Sequence, residues 1–262
     1  MVLHVTNGDV IAERLSNIGM QGIILPWREI LHEGPRAPYK GFDTTQRALV
    51  NLVRADFIAD QGWGGESAPN ILFDMTQRDA LLLDRPWDEV VLWFERDLYD
   101  QLSLSQVLTL LEGGGRFTEP GVTLVFSDQH LHTLTDDELR NRFDRRMIVD
   151  RDLLDHYRAF YQTFSEGRVP QPETSAPTVL HDAAARLQEL EPGPDGLSAF
   201  DRSIIALVKR EGPISVHALL QLVNDALGND AFWSDLAFVR RLREVALRDP
   251  SFILESETVS IV

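Results

Sequence analysis

Three groups of residues have the types and spacing to do chemistry. The first follows the apolar run VVLWF at 90–94, where the chain switches abruptly to Glu95, Arg96 and Asp97, with Asp100 and Gln101 one turn further on. Carboxylates this close repel one another unless water, a cation or an arginine offsets them. Oxygen donors of this kind suit Mg²⁺ or Mn²⁺. Glu95 and Asp97, joined by Asp9 and Asp128 if neighbouring strand ends bring them close, would then support phosphoryl transfer or phosphate-ester hydrolysis. The competing reading is plainer: Asp97 and Asp100 cap a helix, and Arg96 makes a surface pair.

The second group is Asn7-Gly8-Asp9, which follows a short strand carrying His4. A strand, a glycine turn and a helix N-terminus can hold an anion on backbone N–H groups. The stretch lacks the glycines of a dinucleotide fingerprint and the Gly-Lys-Ser/Thr of a phosphate loop, so a cap and a tight turn compete with the anion site. Asp9 favours capping or a metal contact over phosphate, and His4, inside the strand, reads as structural. The third group is His32-Glu33-Gly34-Pro35, close after Trp27 and Arg28. An imidazole beside a carboxylate suits acid–base work or metal ligation, although the spacing is not H-E-x-x-H and a solvent-facing loop competes. The expected catalytic residues are His32, Glu33 and Asp97. The expected ligand contacts are Asn7, Gly8, Asp9, Trp27, Arg28, Asp100 and Gln101, and the expected metal ligands are Asp9, Glu95 and Asp97. His130 and His132 can face the same way on an extended segment, which does not require a metal.

The elements that must position these groups follow from periodicity. Val2 to Thr6, Gly22 to Leu25, Val90 to Phe94 and Val122 to Phe126 read as strands, the third apolar enough to be covered on both faces. Val10, Ile11, Leu15 and Ile18 give an amphipathic helix between the first two strands, a βαβ order that favours a right-handed crossover. A short helical turn is expected over Trp27 to Leu31. A helix from Thr44 or Thr45 to Asp60 is expected to bury Leu49, Leu52, Val53 and Phe57. Gly62-Trp63-Gly64-Gly65 breaks the chain before a helix over 66–83, and another helix ends at Gly113-Gly114-Gly115. The fold class is therefore α/β, an open, mostly parallel sheet with flanking helices, and ligands in such sheets sit beyond the C-terminal strand ends.

Beyond Ser127, Thr135 with Glu138 forms a capping-box start, and a helix over 150–165 carries a wide apolar face. Gly167 to Pro177 is a linker candidate. The last region has three helices, the third opening at Asn229 or Asp230 and carrying Phe232, and then strand candidates at 252–255 and 258–262. This order is winged-helix-like. The expected domains are 1–130, α/β; 131–196, a helical segment and linkers; and 197–262, helical with a terminal hairpin.

The net charge is -16, from 41 acidic and 25 basic residues, a field that disfavours nucleic acid and anionic membrane. Arg240, Arg241, Arg243 and Arg248 are interleaved with apolar and acidic residues, which leaves little basic face for reading DNA. There is no cysteine, which removes disulfides and zinc-thiolate sites. No leader and no membrane-length apolar run is evident, so a cytoplasmic setting is expected. Trp27, Trp63 and Trp93 suit a pocket wall or, more commonly, a core.

The Glu95-x-Asp97 step resembles the Asp-x-Asp of the metal-binding domain shared by topoisomerases and primases, but Asn7-Gly8-Asp9 lacks that family's glutamate. Taken together, HVTNGD at 4–9, LPWREILHEGP at 25–35 and LWFERDLYDQL at 92–102 resemble a bacterial family catalogued as domain of unknown function eighteen thirty-five. GLSAFDR at 196–202 resembles the C-terminal companion domain of that family. Arg96 departs from the pattern, where a small or polar residue is usual. The resemblance implies the fold and the site boundaries, and no particular reaction. Three functions are expected in order: binding of a small anionic or nucleotide-like ligand at the C-terminal sheet edge; a divalent-metal-dependent phosphoryl-transfer or phosphate-ester hydrolase enzyme; and, last, transcriptional regulation through the C-terminal domain. A protein partner is a further expectation.

Overall fold

The computed structural model describes residues 1–62, 65–118, 121–227, 233 and 235–261. Trp63, Gly64, Asn229, Asp230, Phe232 and Val262, which carry expectations above, lie outside them. The chain divides into two compact units, Met1–Ala183 and Ala184–Val262.

The first unit is built on a five-stranded sheet. Strands β1 (Val2–Asn7), β2 (Ile23–Trp27), β3 (Glu89–Glu95) and β4 (Val122–Ser127) are mutually parallel, and the two-residue β5 (Met147–Ile148) runs antiparallel along β4. The order is β2-β1-β3-β4-β5. The chain moves one way from β1 to β2 and the other way from β3 to β4, so β1 and β3 flank the topological switch point where ligands sit in doubly wound sheets. The expected mostly parallel α/β sheet is present.

Helix α1 (Gly8–Asn17) covers one face: Ile11 and Leu15 pack on Val91, Trp93 and Val125. On the other face lies α4 (Leu98–Gly113), between β3 and α6 (Arg151–Ser165). Almost every residue of α4 from Leu98 to Leu111 is buried. It is buried on all sides because sheet and helix cover it at once, and its polar side chains, Asp100, Gln101 and Gln106 among them, are buried with the apolar ones. Helix α5 (Asp136–Asp144) starts with the expected capping box, Thr135 and Glu138.

Two local expectations are overturned. The turn of helix over Trp27–Leu31 is absent, because β2 continues through Pro26 and Trp27 in register with Thr6 and Asn7. Pro26 is tolerated because β2 is an edge strand, where a missing N–H leaves no ladder bond unmade. Helix α2 (Thr44–Asp60), capped by Asp43, turns the opposite face inward. Leu49, Leu52 and Val53 are exposed and Phe57 is half-buried, whereas Arg47, Val50, Asn51, Arg54 and Ala55 are buried. The reason is a buried ionic network: Arg54 pairs with Glu29 at 2.6 Å, Asn51 donates to Asp79 at 2.8 Å, and Arg78 of α3 (Ala68–Leu83) pairs with Asp79 at 2.9 Å. Buried charges need their partners more than three aliphatic side chains need cover.

The stretch 131–196 holds a short 3₁₀ turn (Leu131–Thr133), then α5, β5, α6 and α7 (Thr178–Leu190). In the second unit α8 (Ala199–Glu211), β6 (Ile214–Ser215), α9 (Val216–Leu227), α10 (Asp235–Arg248), β7 (Phe252–Glu255) and β8 (Thr258–Ile261) follow in order. The strands form an antiparallel sheet in the order β6-β8-β7. Its core stacks Phe200 on Trp233, with ring centroids 4.7 Å apart, among Ile204, Leu219, Phe238 and Leu242.

Candidate functional site

Parallel pairing brings the C-terminal ends of β1, β2, β3 and β4 to one rim, so Asn7, Trp27, Glu95 and Ser127 end neighbouring strands. At the switch point Asp100 closes the gap from within. Its carboxylate accepts the Asn7 side-chain amide and the Glu95 backbone N–H. Asp97 caps α4 and accepts the Asp100 N–H at 2.9 Å. Burial pushes the Asp97 carboxyl up to about 7; the Asp100 N–H opposes the shift and the Glu95 charge adds to it. Asp100 is likewise driven well above the ordinary carboxylate range, by burial first and then by Asp97. Gln101 is fully buried, donating to the Glu95 carbonyl and accepting from the Tyr157 hydroxyl at 2.7 Å.

On the β1–β2 side, Gly8 begins α1 with φ +67°, and Asn7 makes no side-chain cap to it. Asp9 binds Arg28 through three hydrogen bonds of 2.7–3.0 Å. This contact raises the Arg28 pKa. Trp27 is buried, donates to Gln106 at 2.8 Å and lies under the Arg78 guanidinium, 3.7 Å from the ring centroid. The His32 ring meets Tyr99 edge-on at 5.8 Å. Glu33 is buried, and its carbonyl and that of Pro35 accept from Arg54, which anchors the loop after β2. Gly34 is required there: φ is +78°, and a Cβ would sit 2.5 Å from the Phe57 ring. His4 is locked neutral in β1, Nδ1 accepting from Trp93 at 3.1 Å and Nε2 facing the Gln21 carbonyl at 3.1 Å. Burial lowers its pKa.

The β3–β4 side is different. Glu95 accepts from His130 Nδ1 at 2.6 Å and from the Leu131 N–H at 2.7 Å. The His130 and His132 rings stack 5.4 Å apart. Arg14 of α1 fixes the loop by donating to the carbonyls of Leu131 and His132 and to Asp136. One donor atom each from Glu95, His130 and His132 lies within 4.8 Å of the others. No family model, curated protein or solved structure matches this chain. Among the described residues this is the group whose donors converge closely enough to hold a cation, and neither Asp9 nor Asp97 is in it. Arg96 pairs with Asp182 at 3.1 Å and approaches Asp128 at 4.0 Å.

The rim therefore gathers Asn7, Glu95 and Asp100 at its centre, Asp9 and Arg28 at one side, and the two histidines at the other. Residue types did not reveal the buried partners Arg54, Asn51, Asp79 and Gln106. The available signal for the histidines was a His-x-His step three residues past a strand that pairs with the strand ending in Glu95.

Proposed function

We propose that the chain is a divalent-metal-dependent enzyme acting on phosphate esters at this rim, with Glu95, His130 and His132 as the metal ligands. The observation that carries the reading is the convergence of two imidazoles, on a loop pinned by Arg14, with the Glu95 carboxylate at the end of β3. Nitrogen donors disfavour Mg²⁺, so Mn²⁺ or Zn²⁺ is the cation such a set selects. A cation held there would supply Lewis-acid polarisation of a phosphoryl oxygen. The chain's own part is positional: Leu131 N–H and His130 fix the Glu95 carboxylate, Arg14 holds the histidine backbone, and Asp100 ties Glu95 to Asn7. The proposal keeps the expected cytoplasmic setting. Membership of domain family eighteen thirty-five is proposed on its three motifs, all of which lie on the first unit. Among the described residues no helix is long and apolar enough to cross a membrane.

The second unit, with its helix–strand–helix–helix–hairpin order, we read as a winged-helix-like module that packs or contacts protein. Three of the four arginines of its third helix are engaged: Arg241 grips Ser198 and Asp201, and Arg240 and Arg248 pair with Glu244.

Calorimetric titration with Mn²⁺ and Zn²⁺, with p-nitrophenyl phosphate turnover measured in parallel, tests the metal reading. One ion per chain and turnover abolished by a chelator support it. Hydrolysis indifferent to chelation, or no ion bound, overturns it.

A further inference from the structure

A cavity of about 550 Å³ lies on the β1–β2 side of the rim, and none of the three histidine-site residues lines it. Its volume falls in the range of small-molecule sites. One wall is apolar, from Ile30, Ile58, Ile71 and Met75. It also touches Gly8 and Asp9, the turn that the residue pattern marks for an anion.

The charges facing the cavity argue for the opposite sign of ligand. Asp9, Glu66 and Asp74 face it against Arg28 and Arg78, while the Glu29 carboxylate is enclosed behind its wall. Both arginines are already committed, Arg28 to Asp9 and Arg78 to Asp79 with its guanidinium on Trp27. Asp74 is exposed and makes no ion pair among the described residues, and Glu66 takes only the Asn70 amide. Glu29 spreads unevenly: its Oε1 accepts from Arg54 and the Ile30 N–H, whereas Oε2 is buried with no hydrogen-bond partner. A buried carboxylate oxygen without a donor is costly, and it leaves unsatisfied negative charge behind the cavity wall. An anion would meet this surplus of carboxylates and would have to break an arginine pair to find a cation.

We infer that the cavity binds an organic cation with an apolar body, of the class of arylalkyl or alkyl primary amines. The ammonium sits toward the carboxylates and the hydrocarbon against the isoleucines and Met75. This inference goes beyond the metal reading and does not depend on it.

The test is calorimetric titration, with EDTA present, using phenethylamine hydrochloride and its shape-matched anion 3-phenylpropionate. The amine is expected to bind once per chain and the anion not at all. Asp74→Asn, at an exposed position that leaves the fold intact, should weaken the amine about fivefold, the size of one charge contact in water. Ile71→Trp should fill the space and abolish binding. Amine silent up to about 10 mM, anion binding as tight as amine, or full amine affinity in Asp74→Asn would each overturn the inference.

Discussion

The two sides of the rim satisfy their charges in opposite ways. On the β1–β2 side nearly every cation has a carboxylate: Arg28 with Asp9, Arg54 with Glu29, Arg78 with Asp79. On the β3–β4 side a carboxylate meets two imidazoles, groups that can trade a proton for a metal. The switch point between them, where a doubly wound sheet usually admits its ligand, is closed by Asp100 across Asn7 and Glu95. The lesson is that the position of a crevice and the chemistry of its walls are set separately: strand order sets the first, side-chain pairing the second.

The comparison can be broken most forcefully on the β1–β2 side. Arg54→Ala strands the Glu29 carboxylate in the interior and should cost about 3–5 kcal/mol in denaturant unfolding. A loss no larger than that of a surface substitution would show that the network does not hold α2 in its inverted orientation. On the other side, His132→Ala removes the exposed member of the candidate metal-holding group. It should lower Mn²⁺ or Zn²⁺ affinity at least about tenfold while changing unfolding free energy by less than about 0.5 kcal/mol. Equal metal affinity would remove the contrast between the sides.

The strands that join the two sides carry a pH signature. His4 must be neutral to accept the Trp93 N–H, and its folded pKa lies below the unfolded value of 6.5. Its contribution is therefore complete above that value and fades as pH falls through the lower, folded one. As pH falls below about 6.5, wild type should lose stability more steeply than His4→Asn, whose Oδ1 still accepts from Trp93. Parallel slopes in chemical unfolding would count against a buried neutral imidazole. The smallest effect is expected from Arg28→Ala: its pair with Asp9 is more than half exposed on the arginine, and thermal or urea unfolding should register under about 1 kcal/mol.

Much of this was legible in the residues. The four parallel strands declared themselves as apolar runs, and their parallel order sufficed to put Asn7, Glu95 and the loop bearing His32 at one rim. The capping box at Thr135 and Glu138 was readable from local types alone. Helix α2 was not, because Leu49, Leu52 and Val53 form as regular a stripe as a buried face. Only Glu29 and Asp79, distant in sequence, turn the arginine and asparagine side inward. His130 and His132 stood out weakly for the same reason: their partner Glu95 lies 35 residues before His130, and neither spacing nor helix periodicity links them. Asp97 and Asp100 were visible as carboxylates beyond a strand. That their oxygens are occupied by the protein's own N–H groups depends on backbone geometry at the start of α4.

The most direct measurement of the central claim is anomalous diffraction from crystals soaked in Mn²⁺ or Zn²⁺. A single peak bonded to Glu95, His130 and His132, at about 2.0–2.2 Å from each, is the predicted result. A peak at Asp9 or Asp97 instead, or no peak at the histidine loop, would contradict it.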